Sequence, residues 1–179
     1  MIEVESKYWS PGNERVEKVL VSLGAKKISS GTMEDVYFIH PGRDFGKTDE
    51  ALRLRKKDDG AELTYKGPRM NLSTTKAREE VTLKTDNPLA AQRIIERLGF
   101  KEGYVVRKTR ESYIYDKLRV ELDRVEGLGE FVELEILTES PEREASLLEL
   151  ARKELALDRP EQKTYLELLI EKGAAARNK

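Results

Sequence analysis

The segment Leu52-Arg53-Leu54-Arg55 alternates an aliphatic side chain with a full positive charge. Two later segments, Val120-Glu121-Leu122-Asp123 and Val132-Glu133-Leu134-Glu135-Ile136, show the same alternation with carboxylates. Because successive side chains of a β-strand point to opposite faces, each segment predicts a strand with one aliphatic and one charged face. A face that merely contacts water usually mixes Ser, Thr and Lys, so full charges at every second position suggest a more specific role.

The same period of two recurs along the chain, between segments of helical period. It predicts about eight strands, at residues 1–8, 33–40, 50–57, 61–67, 78–85, 103–115, 118–125 and 130–138. Caps and breaking prolines, with apolar residues at helical spacing, predict helices that begin at Ser10-Pro11, Asn87-Pro88, Ser140-Pro141 and Tyr165. Residues 41–49 and 68–77 are predicted to be mobile loops because they are interrupted by Gly, Pro or Ser.

Two parts of the chain are similar to each other. The strand Glu3-Val4-Glu5-Ser6-Lys7 is followed by a helix ending in Leu-Gly and by a second strand. This order is repeated by Glu80-Val81-Thr82-Leu83-Lys84, a helix ending in Leu98-Gly99 and a further strand. Two related halves predict a pseudo-symmetric sheet that closes on itself.

Composition limits the class of protein. The chain has 179 residues, 33 Lys and Arg against 34 Asp and Glu, and no Cys. The length predicts a single domain at residues 1–172 and a frayed tail at 173–179. Balanced charge argues against a nucleic-acid partner. The lack of a long apolar run or a signal-peptide pattern argues against a membrane partner and favours a cytoplasmic protein. Without Cys, disulfides, thiolate metal sites and cysteine nucleophiles are excluded.

The charged faces of the strands have to be placed relative to the helices. The apolar stripes of the helices need partners, and the aliphatic strand faces supply them. The charged faces then point away from the helices, toward solvent in an open sheet or toward the interior of a closed barrel. The side chains that share the charged face are Glu3, Glu5, Lys7, Arg53, Arg55, Lys66, Arg78, Glu80, Lys84, Lys108, Arg110, Glu121, Asp123, Glu133 and Glu135.

Two features favour the interior over a solvated face, which is the alternative interpretation. Arginine, whose planar guanidinium suits phosphate oxygens, is used at Arg53, Arg55, Arg78 and Arg110. Acids pair at i and i+2 in Glu3/Glu5 and Glu133/Glu135, which lets several carboxylate oxygens share a cation such as Mg²⁺ or Mn²⁺. Clustered like charges repel, so we expect a divalent cation on the acids and a polyanion on the bases.

At these residues the chain resembles the CYTH family, the class IV adenylate cyclase and thiamine triphosphatase group of the triphosphate tunnel metalloenzymes. Glu3-Val4-Glu5-Ser6-Lys7 is similar to the family's E-x-E-x-K signature. Further matches follow in the family's order: Leu52-Arg53-Leu54-Arg55, Thr64-Tyr65-Lys66-Gly67, Lys108-Thr109-Arg110, Leu122-Asp123-Arg124-Val125, Gly127-Leu128-Gly129-Glu130-Phe131-Val132-Glu133-Leu134-Glu135 and Thr164-Tyr165-Leu166-Glu167-Leu168-Leu169. In Arg78-Glu79-Glu80-Val81-Thr82, threonine replaces the second acid of the family's R-x-E-x-E.

The resemblance implies an α+β fold, an eight-stranded antiparallel closed β-barrel that forms a triphosphate tunnel, with helices packed outside. It also implies a divalent-metal-dependent enzyme, with Mg²⁺ or Mn²⁺, whose partner is a small molecule bearing a triphosphate, such as ATP or thiamine triphosphate. By this likeness the catalytic residues are Glu5, Lys7, Lys108, Arg110 and Glu135. The substrate-binding residues are Lys7, Arg53, Arg55, Lys66, Arg78, Lys108 and Arg110. The metal ligands are Glu3, Glu5, Asp123, Glu133 and Glu135.

Several activities fit this pattern. The segment from Gly127 to Glu135 and the helix of Tyr165 are most similar to the class IV adenylate cyclases, which convert ATP to cyclic AMP and pyrophosphate. Hydrolysis of thiamine triphosphate or inorganic triphosphate is the first alternative, and non-catalytic binding of a nucleotide or polyphosphate is the second. Barrel edges and the C-terminal helices leave room for a homodimer.

Overall fold

The computed structural model describes residues 2–72, 75–139 and 141–173. Its strands are β1 (Ile2–Trp9), β2 (Lys26–Ile39), β3 (Ala51–Lys57), β4 (Gly60–Lys66), β5 (Met70–Leu72), β6 (Thr75–Thr85), β7 (Lys101–Tyr115), β8 (Leu118–Val125), β9 (Gly129–Thr138) and β10 (Pro160–Glu161). Its helices are α1 (Asn13–Ser22), α2 (Phe45–Thr48), α3 (Pro88–Arg97), α4 (Pro141–Glu154) and α5 (Tyr165–Glu171). The predicted helices all occur, and α2 is a short additional helix within the predicted loop at residues 41–49.

The strands belong to one antiparallel sheet. Over the described residues the sheet has ten strands, in the order β10-β1-β9-β8-β7-β2-β3-β4-β6-β5. β1 also pairs with β6, through Ile2↔Glu79, Glu3↔Arg78, Val4↔Ala77 and Glu5↔Lys76. β1, which lies near one end of this strand order, therefore also pairs with β6, which lies near the other end. The sheet curves as a result, and one of its faces becomes an inner face.

The prediction of antiparallel strands is confirmed, but the predicted number of eight strands is wrong. β5 has three residues and pairs with β6 inside the predicted loop at 68–77. β10 has two residues and pairs with β1 at Pro160, where the sequence indicated only a helix break. Such short strands carry no detectable alternation, because the period of two needs about four residues to be recognised.

β2 is longer than predicted. It begins at Lys26 and pairs with β7 along most of its length, whereas the alternation predicted a start at residue 33. The first residues of β2 are exposed and polar, so they show no apolar period. Their place in the sheet comes from backbone pairing with a long partner strand, which the side-chain pattern does not record.

Local caps explain where the helices begin. The Asn87 side chain accepts a hydrogen bond from the Ala90 amide at 2.9 Å, and α3 starts at the following proline. α5 has a capping box, in which the Glu167 amide donates to Thr164 Oγ1 at 3.1 Å and the Thr164 amide donates to Glu167 at 2.6 Å. α1 starts at Asn13 rather than at Ser10, because Gly12 with φ 124° occupies the cap position.

Helices α1, α3 and α4 cover the outer, aliphatic face of the sheet, as predicted, whereas α5 packs on the inner face, where Tyr165 and Leu169 are buried. α1 and α4 place Val16, Leu20 and Leu148 in one buried cluster with Val4 and Leu134 of the strands. α3 places Ile95 in a second, smaller cluster with residues of β2, β3 and β4. The rest of the inner face carries the charged side chains, which positions the site.

Two further predictions concern the ends of the chain and membranes. Residues 174–179 of the predicted tail lie outside the described residues, and the domain boundary at residue 172 stays a prediction. No helix within residues 2–72, 75–139 and 141–173 has the length and apolar character needed to cross a bilayer.

Candidate functional site

The charged strand faces converge on one cavity of about 810 Å³. The predicted substrate-binding side chains Lys7, Arg53, Arg55, Lys66, Arg78, Lys108 and Arg110 all lie on its wall, together with Arg43 and Arg69. The acids Glu5, Glu133 and Glu135 also line it. Arg53 and Arg55 are only 9% and 8% exposed. The alternative of a solvated face is therefore wrong for these bases, and all the predicted substrate-binding side chains share one interior.

Some predicted inner-face residues are not among those that line the cavity. Glu121 and Asp123, at 2% and 0% exposure, lie outside the set of residues that line this cavity. Lys84 is exposed toward the end of β6. The backbone of Glu3 belongs to β1, but its side chain lies outside the described part of the molecule, so its predicted role as a metal ligand stays a prediction.

Asp35 of β2 fixes the two arginines of β3. The Arg55 guanidinium donates from Nε and Nη2 to the two Asp35 oxygens, each at 2.7 Å, and Arg53 Nη1 lies 3.8 Å from Asp35 Oδ2. Burial alone would raise the pKa of Asp35, but Arg55 and Arg53 outweigh it and hold that pKa well below its usual range. Asp35 thus stays ionised and holds Arg55 rigidly, while Arg53 is held more loosely.

Asp123 of β8 holds the bases of β7, as Asp35 holds the arginines of β3. It accepts from Lys108 Nζ at 2.9 Å and from Arg110 Nε and Nη2 at 2.6 and 2.5 Å. Arg110 also donates to Glu133 of β9 at 2.5 Å, and Lys7 Nζ lies 3.8 Å from the same carboxylate. Burial would raise the pKa of Glu133, yet Arg110, Lys108 and Lys7 hold it well below its usual range. Asp123 and Glu133 therefore anchor the bases as permanent anions.

Tyr165 of α5 packs its ring between two of these bases. Lys7 Nζ lies 4.3 Å and Lys108 Nζ 4.9 Å from the ring centroid, distances typical of cation–π contacts. Burial, and then the Arg110 guanidinium, lower the pKa of Lys108 to about 8, although Asp123 acts in the opposite direction. Lys108 is consequently a buried cation that can lose its proton slightly above neutral pH.

Two of the acids predicted as metal ligands, Glu5 and Glu135, lie together on the cavity wall. Glu5 of β1 lies directly opposite Glu135 of β9 in the strand register, and both line the cavity. Opposed like charges destabilise a sheet unless something positive lies between or beside them. Arg119 Nε lies 3.3 Å from Glu135. Within the described part of the chain no three acidic or histidine side chains stand together as a ready-made metal site.

Comparison with known proteins agrees with this geometry. The family model of the CYTH domain matches residues 1–168. The chain belongs to the CYTH domain family. Its sequence is 40% identical over 173 residues to MJ0240 of Methanocaldococcus jannaschii, which carries adenylate cyclase as a provisional name; the match covers 94% of the CYTH chain and 98% of MJ0240.

Solved structures place the CYTH chain in the same group. PH1819 of Pyrococcus horikoshii OT3 is 36% identical, with a TM-score of 0.81 over 95% of the CYTH chain and 99% of PH1819. HpAC1 of Hippeastrum is 22% identical, with a TM-score of 0.71 over 96% of each chain, and a dominant triphosphatase activity is stated for it. At that identity the similarity of HpAC1 shows the shared fold.

The mouth of the CYTH cavity contains residues that the sequence did not single out. Arg69 donates from Nε to Asp49 at 2.9 Å and from Nη2 to Glu167 of α5 at 3.1 Å, so it joins the segment after β4 to α2 and α5. The cavity wall also carries the apolar or aromatic side chains Tyr37, Phe38, Ile39, Pro41, Phe45, Leu52 and Leu166, together with the polar His40, Arg43, Asp44 and Glu50. We call the part of the wall formed by these apolar and aromatic side chains the apolar arm.

Proposed function

We propose that the CYTH chain is an enzyme that binds the triphosphate group of a nucleotide in this cavity and converts ATP to cyclic AMP and pyrophosphate. The observation that carries the proposal is the convergence of Lys7, Arg53, Arg55, Lys66, Arg78, Lys108 and Arg110 on a single interior of about 810 Å³. A triphosphate is a compact polyanion, and such convergent, fixed cations are what phosphoryl transfer demands of a protein.

The interior is proposed to work as a tunnel. The pairing of β1 with β6 supports a ring formed by β1, β9, β8, β7, β2, β3, β4 and β6, with β5 and β10 attached to it. In such a ring the bases of β1, β3, β4 and β7 surround the bound phosphates from several directions. Carboxylates behind them, chiefly Asp35 and Asp123, keep the guanidiniums and Lys108 in place before the ligand arrives.

The reaction uses these fixed charges. The ribose 3′-oxygen attacks the α-phosphorus, its proton leaves to solvent, and the bond from the α-phosphorus to the bridging oxygen of the β-phosphate breaks. Negative charge accumulates on the departing pyrophosphate, where Arg110 and Lys108 stabilise it. The apolar arm, with Phe38, Phe45 and Leu166, provides a surface for the base and favours a nucleotide over inorganic triphosphate.

Glu5 and Glu135 are the residues proposed to hold a divalent cation. Mg²⁺ in phosphate-binding sites is commonly held by one or two protein carboxylates together with phosphate oxygens, so this opposed pair fits it. When bound, the cation supplies positive charge to the phosphates and lowers the pKa of the attacking hydroxyl. Asp123 and Glu133, predicted as ligands, are assigned to positioning instead, because both accept hydrogen bonds from Arg110.

A triphosphatase is the second candidate, because the same cradle serves attack by water on the γ-phosphorus. The stated activity of HpAC1 supports it. Incubation of the purified chain with ATP and Mn²⁺ separates the two by their products. Cyclic AMP with pyrophosphate supports the cyclase, whereas ADP with phosphate supports the triphosphatase. If ATP, thiamine triphosphate and inorganic triphosphate all bind but are not turned over, the chain is a binding module.

Replacing Glu5 or Glu135 by the neutral glutamine is expected to reduce turnover strongly but to leave nucleotide binding intact. We expect Glu5→Gln and Glu135→Gln each to reduce metal-dependent turnover by about 100-fold or more, because the cation loses one of its two protein ligands. Nucleotide binding in the presence of a chelator should persist, since the bases carry it. Glu79→Gln, at an exposed position of β6, is the matched control. The proposed role of Glu5 and Glu135 would be contradicted if both variants and the Glu79→Gln control lost nucleotide binding in the presence of chelator to the same extent.

Binding is expected to depend on pH through Lys108. Its pKa of about 8 means that it loses its proton as the pH rises through this value, and a triphosphate binds the protonated form better. Affinity should therefore be full below pH 8 and fall above it, by at most about ten-fold per pH unit. Calorimetric titrations across this range should show proton uptake on binding, and Lys108→Arg should remove it. An identical pH profile in both proteins would argue against this role.

A further inference from the structure

The second half of β6 has a free edge and an exposed apolar face. Glu80 to Thr85 pair with β4 on one side. On the other side the pairing with β1 stops at Glu79, and no other strand among the described residues pairs there. Val81 and Leu83, on the outer face of this segment, are 59% and 65% exposed. Unpaired backbone groups next to exposed aliphatic side chains are the features of a strand that accepts another strand.

The internal repeat shows how unusual this exposure is. Val4 and Ser6 of β1 correspond to Val81 and Leu83 of β6 in the repeat. Val4 is 0% exposed and Ser6 is 9% exposed, because α4 packs over β1 and β9 pairs along its edge. The described residues supply no counterpart of α4 or β9 for this part of β6. Within the described residues, the second half of the repeat therefore lacks a layer that the first half has.

The sequence of this segment is complementary to itself. In Glu80-Val81-Thr82-Leu83-Lys84, an antiparallel copy centred on Thr82 places Glu80 opposite Lys84, Val81 opposite Leu83, and Thr82 opposite itself. Directly opposed side chains in such a pair lie about 4.5–5.5 Å apart at Cβ, within contact distance. Glu80 also accepts a hydrogen bond from Lys66 of β4. Charge and apolar matching thus occur in one register.

We infer that the free edge of β6 pairs with the same edge of a second copy of this chain, and that a twofold axis passes beside Thr82. The contact is isologous, so it closes as a dimer instead of adding further copies at the same edge. It joins the two sheets through backbone hydrogen bonds and buries Val81 and Leu83 against their symmetry mates. The inference does not depend on the proposed enzymatic function, because none of its apolar contacts involves the cavity.

A single introduced cysteine tests the register. The chain has no Cys, so Thr82→Cys creates one thiol, and the twofold axis places it against its own copy. Opposed residues of antiparallel strands have Cα atoms about 4.5–5.5 Å apart, which lies within the range of about 4.4–6.8 Å that a disulfide spans. Under mild oxidation Thr82→Cys should form a covalent dimer at least about ten-fold faster than Thr109→Cys, an exposed strand control. Equal rates in the two variants would overturn the inference.

Charge substitutions test the interface without cross-linking. We expect Leu83→Lys to raise the dimer dissociation constant, measured by sedimentation equilibrium, by about ten-fold or more, because it replaces two symmetry-related apolar contacts. Adding Val81→Glu should restore the dimer, since position 81 then faces position 83 with opposite charge. Leu137→Lys, at a position 61% exposed on β9, is the control for adding charge to a surface leucine.

Two results would overturn the inferred dimer. The first is a monomer at all concentrations up to the limit of solubility. The second is a dimer that Leu137→Lys weakens and Leu83→Lys does not, which would assign the contact to another surface. Circular dichroism of each variant checks that the fold is intact, and both leucines are exposed enough for that to be expected.

Discussion

Replacing Asp123 by alanine is expected to lower the free energy of unfolding by about 3–5 kcal/mol. The carboxylate is fully buried and accepts hydrogen bonds from Lys108 and from two nitrogens of Arg110. Its removal leaves two buried cations with one anion fewer, and only Glu133 and the more distant Glu121 then balance Arg110. Urea denaturation of the variant and the wild-type protein measures the difference.

The control for Asp123→Ala is a carboxylate of similar pairing but different burial. Glu149 on α4 receives two hydrogen bonds from Arg152, at 2.8 and 2.9 Å, and lies at the surface. Glu149→Ala should have a much smaller effect, because exposed ion pairs contribute little to stability. If the two variants unfold at similar urea concentrations, the buried network contributes less than its geometry indicates.

Separate replacement of Arg53 and Arg55 by leucine is expected to affect two different properties. Arg53→Leu should weaken nucleotide binding, and Arg55→Leu should lower stability. Arg55 is held by Asp35 through two hydrogen bonds of 2.7 Å, whereas Arg53 Nε finds no hydrogen-bond partner among the residues that the structure describes. Arg53 therefore has a donor available for a phosphate oxygen. We expect Arg53→Leu to weaken nucleotide binding by about 100-fold, in line with the loss of a buried charge-assisted contact, and to leave the protein folded.

Arg55→Leu should act mainly on stability. It leaves Asp35 buried with only the more distant Arg53, and a buried carboxylate without a close cation costs about 3–5 kcal/mol. Calorimetric titration with nucleotide and urea denaturation of both variants give the comparison. Arg53→Lys separates charge from shape, because lysine keeps the charge but loses the planar fork. Similar losses of stability for Arg53→Leu and Arg55→Leu would mean that both arginines are structural.

The sequence predicted the inner face well, because a strict period of two in Leu52-Arg53-Leu54-Arg55 survives any small error in strand boundaries. It also predicted that helices cover the aliphatic face. It did not identify Asp35, although this residue alternates with Val36 and lies opposite Arg55 in the register of β2 and β3. Asp35 is a single acid followed by the mainly aromatic and aliphatic Tyr37-Phe38-Ile39, so the segment shows no repeated alternation of charged and apolar residues.

The sequence alone does not distinguish acids that bind a metal ion from acids that position the bases. Asp123 and Glu133 resemble metal ligands when only residue type and spacing are considered, whereas their hydrogen bonds from Arg110 are the reason that we propose a positioning role for them. That distinction depends on which strands become neighbours, and so on pairing between residues far apart in the chain. The contact of Tyr165 with Lys7 and Lys108 depends likewise on where α5 packs.

The carboxylates buried behind the bases also bear on how the protein responds to heat. The hydration of charged groups becomes less favourable as the temperature rises, so the cost of keeping Asp35, Asp123 and Glu133 away from water falls on warming. Their attraction to the neighbouring guanidiniums persists. An ion network that organises the cavity at room temperature therefore becomes relatively more favourable near the boiling point, where apolar packing gains no further strength.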